Sequence, residues 1–231
     1  MDKIVYIADI GGDIDDLVAI KYLNSIGALG SVVLDGASQD NERKLILERD
    51  GIEVLNEIPK GTDIVFCGGA FTKIAKYLQN NKLDLVVANG FFAGCNIVPP
   101  EHVLDKFKNL AQCVSYNPNQ DYKSALEVVR SGVDMLIVAK NVCHHPDNTI
   151  DNWHDPKSVK IKIPARKKLH DLLMVKEGIN FIKNRSTFCV YESVNIYMNK
   201  GNAITWRAEP DKESNILISL YAKTNKIAEK I

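Results

Sequence analysis

A chain of 231 residues, 45% hydrophobic and 25% charged, can bury a sizeable core as one globular domain spanning 1–231. Its 29 basic and 29 acidic residues cancel, which excludes a strong overall field for nucleic acid or an anionic membrane and leaves only local basic patches such as "PARKKLH" at 164–170. Apolar runs are strand-sized, well short of the roughly 20 residues of a membrane span, and the start "MDKIVYIA" carries no signal-peptide pattern. The 5 cysteines (Cys67, Cys95, Cys113, Cys143, Cys189) are widely spaced without a CxxC pair, so a reducing, cytoplasmic setting is expected rather than a disulfide framework.

Short β-branched runs alternate with helical patterns along the chain. The spacing predicts a buried strand over 3–8, a helix over 15–27, a strand over 30–36, one or two helices over 40–58, a strand over 62–69 and a helix over 71–81. A strand at 83–90, a helix at 100–110, a helix at 121–132 and a strand at 135–139 continue the series. Residues 140–168 form a polar stretch, read as a long functional loop or flap. A helix over 170–184 follows, then two strands joined by "NKGN" as a hairpin, the strand "NILISLYA" and a short final helix. Strands separated by crossover helices imply an α/β fold: an open, mostly parallel Rossmann-like sheet with helices on both faces and a C-terminal β-hairpin. In such sheets ligands gather at the carboxyl ends of the strands, where Asp9, Gly69, Asn89 and Asn141 fall.

The first strand runs into "IADIGGDIDDLVAI", which places Asp9, Asp13, Asp15 and Asp16 within eight positions. A turn uses one or two Asp residues on its own backbone, and a helix cap uses one more. Hard divalent cations bind oxygen ligands, and a strand-end Asp with an Asp pair opening the next helix can converge on one ion. The order fits neither an EF-hand loop nor a P-loop, because four carboxylates repel phosphate.

"ADIGGDIDDLVAI" resembles the N-terminal signature of the inosine-uridine-preferring nucleoside hydrolases, DxGxDxDDxxAL. "CGGAFTKIAKYL" is similar to the GPLTNxA segment of that family, "VVANGFF" stands where it has an MGG strand end, "SYNPNQDYKSALEVV" resembles ExNxxxDPxAA, and "LHDLLMV" resembles the late HDPLA motif. A second HD pair, His154-Asp155 in "WHDP", competes for the last role; the helical run after "LHDLLMV" favours His170 and Asp171.

The resemblance implies Ca²⁺ held by Asp9, Asp16 and Asp171 with a strand-end carbonyl near Ala88, and hydrolysis of the N-glycosidic bond of a ribonucleoside. Asp9 then accepts a proton from the attacking water, Asp15 and Asn117, with Asn96, bind the ribose, and His170 donates a proton to the departing base. The implied partner is a nucleoside or ribose-containing small molecule, and a homo-oligomer is left open. The sequence also departs from the pattern. Ile7 stands in place of the first Asp of the usual DxD, Ser115 in place of a Glu, and a stretch that carries an HGxxG loop is missing before "IVFCGG". These departures motivate a rival reading, a non-catalytic metal- and ribose-binding protein. A metal-dependent hydrolase with Asp9 as nucleophile is a weaker rival, because the DxDxT pattern is absent. Cys143, His144, His145 and His154 are zinc-binding types at a spacing that matches no standard zinc site. Tyr116, Trp153 and Trp206 can stack on a base, but packing is the expected role for each.

Overall fold

The computed structural model describes residues 3–36, 40–148 and 168–223. Strand β1 (Ile4–Ala8) is buried along its whole length. Its side chains alternate between two cores: Ile4, Tyr6 and Ala8 face one, Val5 and Ile7 the other. That is the burial expected of a central parallel strand covered on both faces. Strands β2 (Leu29–Leu34), β3 (Val54–Leu55), β4 (Ile64–Cys67), β5 (Leu85–Asn89) and β6 (Asp134–Val138) run parallel to it, in the order β3-β2-β1-β4-β5-β6. Beyond β6 lie β9 (Ile216–Ala222), still parallel, and then the antiparallel pair β7 (Cys189–Lys200) and β8 (Ile204–Pro210). The nine-stranded, mostly parallel sheet and its terminal hairpin match the predicted fold class.

Helices α1 (Asp15–Ser25) and α7 (His170–Ile182) cover one face, packed on the core that contains Tyr6, Phe66 and Val87. Helices α3 (Thr72–Leu78) and α5 (Tyr122–Arg130) contribute Ile74, Ala75, Ala125 and Val128 to the core of the other face. Gly178 lets α7 lie close to the sheet, since a Cβ there would come within 2.5 Å of the Phe66 ring and 2.9 Å of Val87. Among the described residues no helix is long and apolar enough to cross a membrane.

Two predicted elements differ from the structure. The 40–58 segment holds one helix, α2 (Asn41–Arg49), capped by Asp40, whose carboxylate accepts the Glu42 and Arg43 N–H groups. Gly51, at φ 73°, then turns the chain into edge strand β3. The 100–110 segment makes two 3₁₀ turns, Pro100–His102 and Asp105–Phe107, instead of a helix. Asn141 explains the break: its Oδ1 accepts the Leu104 N–H at 3.1 Å, and its Nδ2 donates to the carbonyls of His102 and Leu220. A buried side chain thus takes the backbone bonds a helix would have used. Short helices α4 (Tyr116–Gln120), after the two 3₁₀ turns, and α6 (Lys140–Cys143), after β6, form where no separate helix was predicted. Most of the expected flap, with Trp153, His154 and Asp155, and the expected final helix lie outside the described residues.

Candidate functional site

The parallel strands β1 to β6 all end at one edge of the sheet, and the acidic loop leaves β1 there. Asp9 closes β1, and α1 opens at Asp15 with Ile14 at its N-cap and no side-chain capping bond. The aspartates are therefore not caps. Asp15 and Asp16 are 7% and 3% exposed in the first turn of α1, where the helix dipole favours negative charge. Arg43 of α2 holds the loop from outside, its Nη1 donating to the carbonyls of Ile10 at 2.7 Å, Gly12 at 3.1 Å and Asp13 at 2.7 Å.

Asp171, in the first turn of α7, meets this loop from the neighbouring helix on the same face of the sheet. One carboxylate oxygen each from Asp15, Asp16 and Asp171 lies within 4.8 Å of the others, and all three residues are buried. Tyr6 Oη donates to Asp171 Oδ2 at 2.6 Å, and Asn89 Nδ2 donates to Asp171 Oδ1. Asn117 Nδ2 in turn donates to Asn89 Oδ1 and to the Gly68 carbonyl, each at 2.7 Å. Burial, then the Asp171 and Asp15 charges, push the Asp16 carboxyl well up, and burial raises Asp171 to about 6 against the hydrogen bonds it accepts. Asp16 Oδ1 is buried without a hydrogen-bond partner. Gly68 faces this group, and a Cβ there would collide with Asp171 Oδ2 and the Tyr6 hydroxyl and sit 2.7 Å from Asp16 Oδ1. A backbone kept bare beside three converging, partly unsatisfied carboxylates fits a hard divalent cation.

The group forms one end of a cavity of about 400 Å³. Asp9 lines the cavity beside the three, its Oδ2 accepting from Gln120 Nε2 at 2.7 Å; burial raises its carboxyl, and Gln120 opposes the shift. Ser115, Tyr116 and Asn117 line a second wall, with Tyr116 63% exposed at its mouth. His170, His144 and Lys140 line a third. The two imidazoles lie 4.8 Å apart, centroid to centroid. Burial, His170 and nearby lysines hold His144 down to about 3, so its ring is neutral.

The structure brings Asp9, Asp15, Asp16, Asn117, His170 and Asp171 to this cavity. Asp15, expected on the ribose, stands in the tightest carboxylate group, whereas Asp9, expected as a metal ligand, flanks it. Ala88, named for a nearby strand-end carbonyl, is buried within β5 beside the cavity-lining Asn89, and Asn96, outside the cavity lining, donates to the Ala208 carbonyl at 2.6 Å. Tyr6, Gly68 and Arg43 were not anticipated, and Asn89 was expected only as a strand-end position. A buried tyrosine in a central strand needs a partner for its hydroxyl, and that was the available signal. Among the described residues the carboxylate triad is the one group arranged for a metal. Cys143 Sγ donates instead to the Val138 carbonyl and His145 Nδ1 accepts the Asp147 N–H, so zinc has no described site there. Trp206 is a packing residue as expected, fully buried edge-on to Phe91, but Tyr116 is not.

No protein-family model and no curated protein sequence matches the chain. Solved structures do. An inosine-uridine preferring nucleoside hydrolase from Bacillus anthracis superposes with a TM-score of 0.61 at 12% identity, over 96% of this chain and 95% of the other. A purine-preferring ribonucleoside hydrolase from Gardnerella vaginalis gives 0.61 at 12% identity, over 96% and 94%. A plant nucleoside hydrolase gives 0.56 at 12% identity, over 100% and 90%. At this identity the likeness establishes a common fold, the same fold that the sequence motifs imply.

Proposed function

We propose that the chain hydrolyses the N-glycosidic bond of ribonucleosides with the help of a bound Ca²⁺, releasing ribose and free base. The observation that carries this reading is the convergence of Asp15, Asp16 and Asp171 beside Asp9 in a cavity of about 400 Å³, at the strand-end edge of a sheet shared with nucleoside hydrolases. A hard cation bound by these carboxylates supplies Lewis acidity to water and to the ribose hydroxyls.

The remaining chemistry falls to the chain's own groups. Asp9 Oδ1 accepts the proton of the attacking water while Gln120 holds Oδ2. Asn117 spends its amide hydrogens on Gly68 and Asn89, which leaves Oδ1 as an acceptor for a ribose hydroxyl. The carboxylates favour the positive charge that develops on the ribose as the bond to the base breaks. His170 delivers a proton to the departing base, and Tyr116 at the mouth offers a ring face for that base to stack on. The setting of this chemistry is proposed to be the cytoplasm, with the whole chain acting as one domain.

A second reading, metal and ribose binding without turnover, is favoured by Ile7, fully buried where a carboxylate is usual, and by the short Ser115 side chain on the cavity wall. Assays of inosine, uridine, adenosine and their deoxy forms with saturating Ca²⁺ decide between the two. Turnover supports the first reading, and ribose binding without turnover supports the second. In an active enzyme Asp9→Asn should lower kcat by about 100-fold or more while ribose affinity changes only a few-fold, because the amide cannot accept the proton. Equal losses in both would remove Asp9 from the base role.

A further inference from the structure

We infer that the His144 side of the cavity binds an anionic group: Lys106, Lys140 and Lys168 converge around the His144 ring with no ion-paired carboxylate among the described residues. The arrangement begins at Phe107, buried in the core against Phe92. Lys106 Nζ lies 4.8 Å from the centre of the Phe107 ring and Lys140 Nζ 6.0 Å from the same centre, while the His144 ring meets it edge-on at 5.8 Å. Lys168, the described end of the basic run "PARKKLH", reaches the same place from the other side, its Nζ donating to the His144 carbonyl at 2.9 Å. Lys140 Nζ donates to the Val114 carbonyl at 2.8 Å. Each of these two ammoniums makes one bond to a neutral carbonyl and keeps donors to spare.

Some lysines elsewhere in the fold find acids, whereas Lys200 and Lys223 donate to neutral oxygens of Tyr122 and Thr187. Lys108 pairs with Asp105 at 2.6 Å, and Lys73 and Lys76 share Glu57. Asp105 lies beside Lys106 in sequence, yet its carboxylate goes to Lys108. Among the described residues none of Lys106, Lys140 and Lys168 forms an ion pair. Burial, then repulsion from Lys168 and Lys140, hold Lys106 below its ordinary range, and burial, then His170 and the three lysines, keep His144 neutral. Three positive charges beside a neutral imidazole, without an ion pair among the described residues and one of them on the cavity wall, form a receptor for an anion. His144 is in ring contact with His170, so the anion lies on the side of the cavity that the proposed mechanism gives to the departing base. The ligand therefore carries hydroxyls at one end and a negative charge at the other, as a carboxylated base or a phosphate. A neutral nucleoside would leave the lysines facing water. The nucleoside part of this inference rests on the proposed function; the anion site does not.

Calcium-loaded full-length protein is titrated calorimetrically with two sets of probes. The first is inorganic phosphate and orotate, which test the anion site alone. The second is uridine, orotidine and uridine 5′-monophosphate, which share one ribose and differ in charge and its position. Orotidine should bind about 10-fold more tightly than uridine, an advantage that shrinks as salt is raised to about 0.5 M. Lys106→Gln and Lys168→Gln should each reduce that advantage, whereas Lys140→Arg, which keeps the charge, should preserve it; the calcium-induced rise in melting temperature checks folding in every variant. A gain for the monophosphate instead of orotidine keeps the anion site and moves the charge to the 5′ position. Lysine-dependent binding of phosphate or orotate with no nucleoside bound would sink the nucleoside reading and leave the anion site standing. Equal, salt-insensitive binding of all three nucleoside probes, with no binding of the free anions, would overturn the inference and leave the hydrolase reading untouched.

Discussion

Helix α7 buries two carboxylates in opposite circumstances. Asp171, in its first turn, faces Asp15 and Asp16 and accepts from Tyr6 and Asn89. Glu177, further along, is fully buried beside Cys189 and Tyr191 of β7, with Cys143 and Lys223 nearby. Burial raises both, Asp171 to about 6 and Glu177 to about 7. Titration alone does not tell them apart. A lone buried carboxyl can simply keep its proton, whereas three that converge cannot all be ionised cheaply until a cation neutralises them. Convergence, rather than burial, is what marks a site.

The sharpest way to break this contrast is to remove one member of the triad. Asp171→Ala should weaken Ca²⁺ binding by about 100-fold or more and abolish the calcium-dependent rise in melting temperature, since two carboxylates cannot hold the ion as three do. Calcium affinity unchanged by this substitution would dissolve the distinction between the two ends of α7.

Glu177→Gln should leave calcium binding alone and act on the pH dependence of stability. The folded chain holds the Glu177 proton up to about 7. The unfolded chain loses it near 4.5, so wild-type stability falls as pH rises through that window. The shift is worth about 3 kcal/mol at one pKa unit per 1.36 kcal/mol, and this slope should be missing from denaturant melts of the variant. A parallel profile would mean that Glu177 is solvated. The smallest effect is expected for Tyr6→Phe: loss of the hydroxyl that donates to Asp171 should cost about 1–2 kcal/mol in metal-free protein. Chemical denaturation without calcium measures it.

How far the sequence disclosed this molecule follows the range of the interactions. Strands β1, β2, β4, β5 and β6 were legible because β-branched runs bounded by glycine and polar residues carry their own signal. Residues 100–110 had a helical apolar pattern, but Asn141, distant in sequence, diverts the backbone bonds. Edge strand β3 has two residues, too few for any period. In the site, the clustering of Asp9, Asp13, Asp15 and Asp16 and the helix start at His170 were local features, and they point to the cavity described above. The Tyr6–Asp171 bond joins residues 165 positions apart, and no local pattern announces it. Asn96 was proposed from its position alone, and its amide is spent on the Ala208 carbonyl, a pairing no local pattern announces. The lysine wall was read as a run in the chain, whereas Lys106 and Lys140 join it through Phe107.

The order of the strands has a consequence for how this chain assembles. Strand β9 comes after β7 and β8 in the sequence, yet in the sheet it stands between them and β6. As the polypeptide leaves the ribosome, the hairpin is complete before the strand that links it to β6 has been made. Until β9 arrives, β6 and the inner side of β7 each present an open row of backbone donors and acceptors, the situation that invites pairing with another chain. The Cys113–Trp206 bridge, with bonds of 3.0 and 2.9 Å, is a contact the waiting hairpin can make to the rest of the chain without β9. Nascent chains arrested before Ile216 should therefore recruit chaperones that recognise exposed β-structure, and release them once β9 emerges.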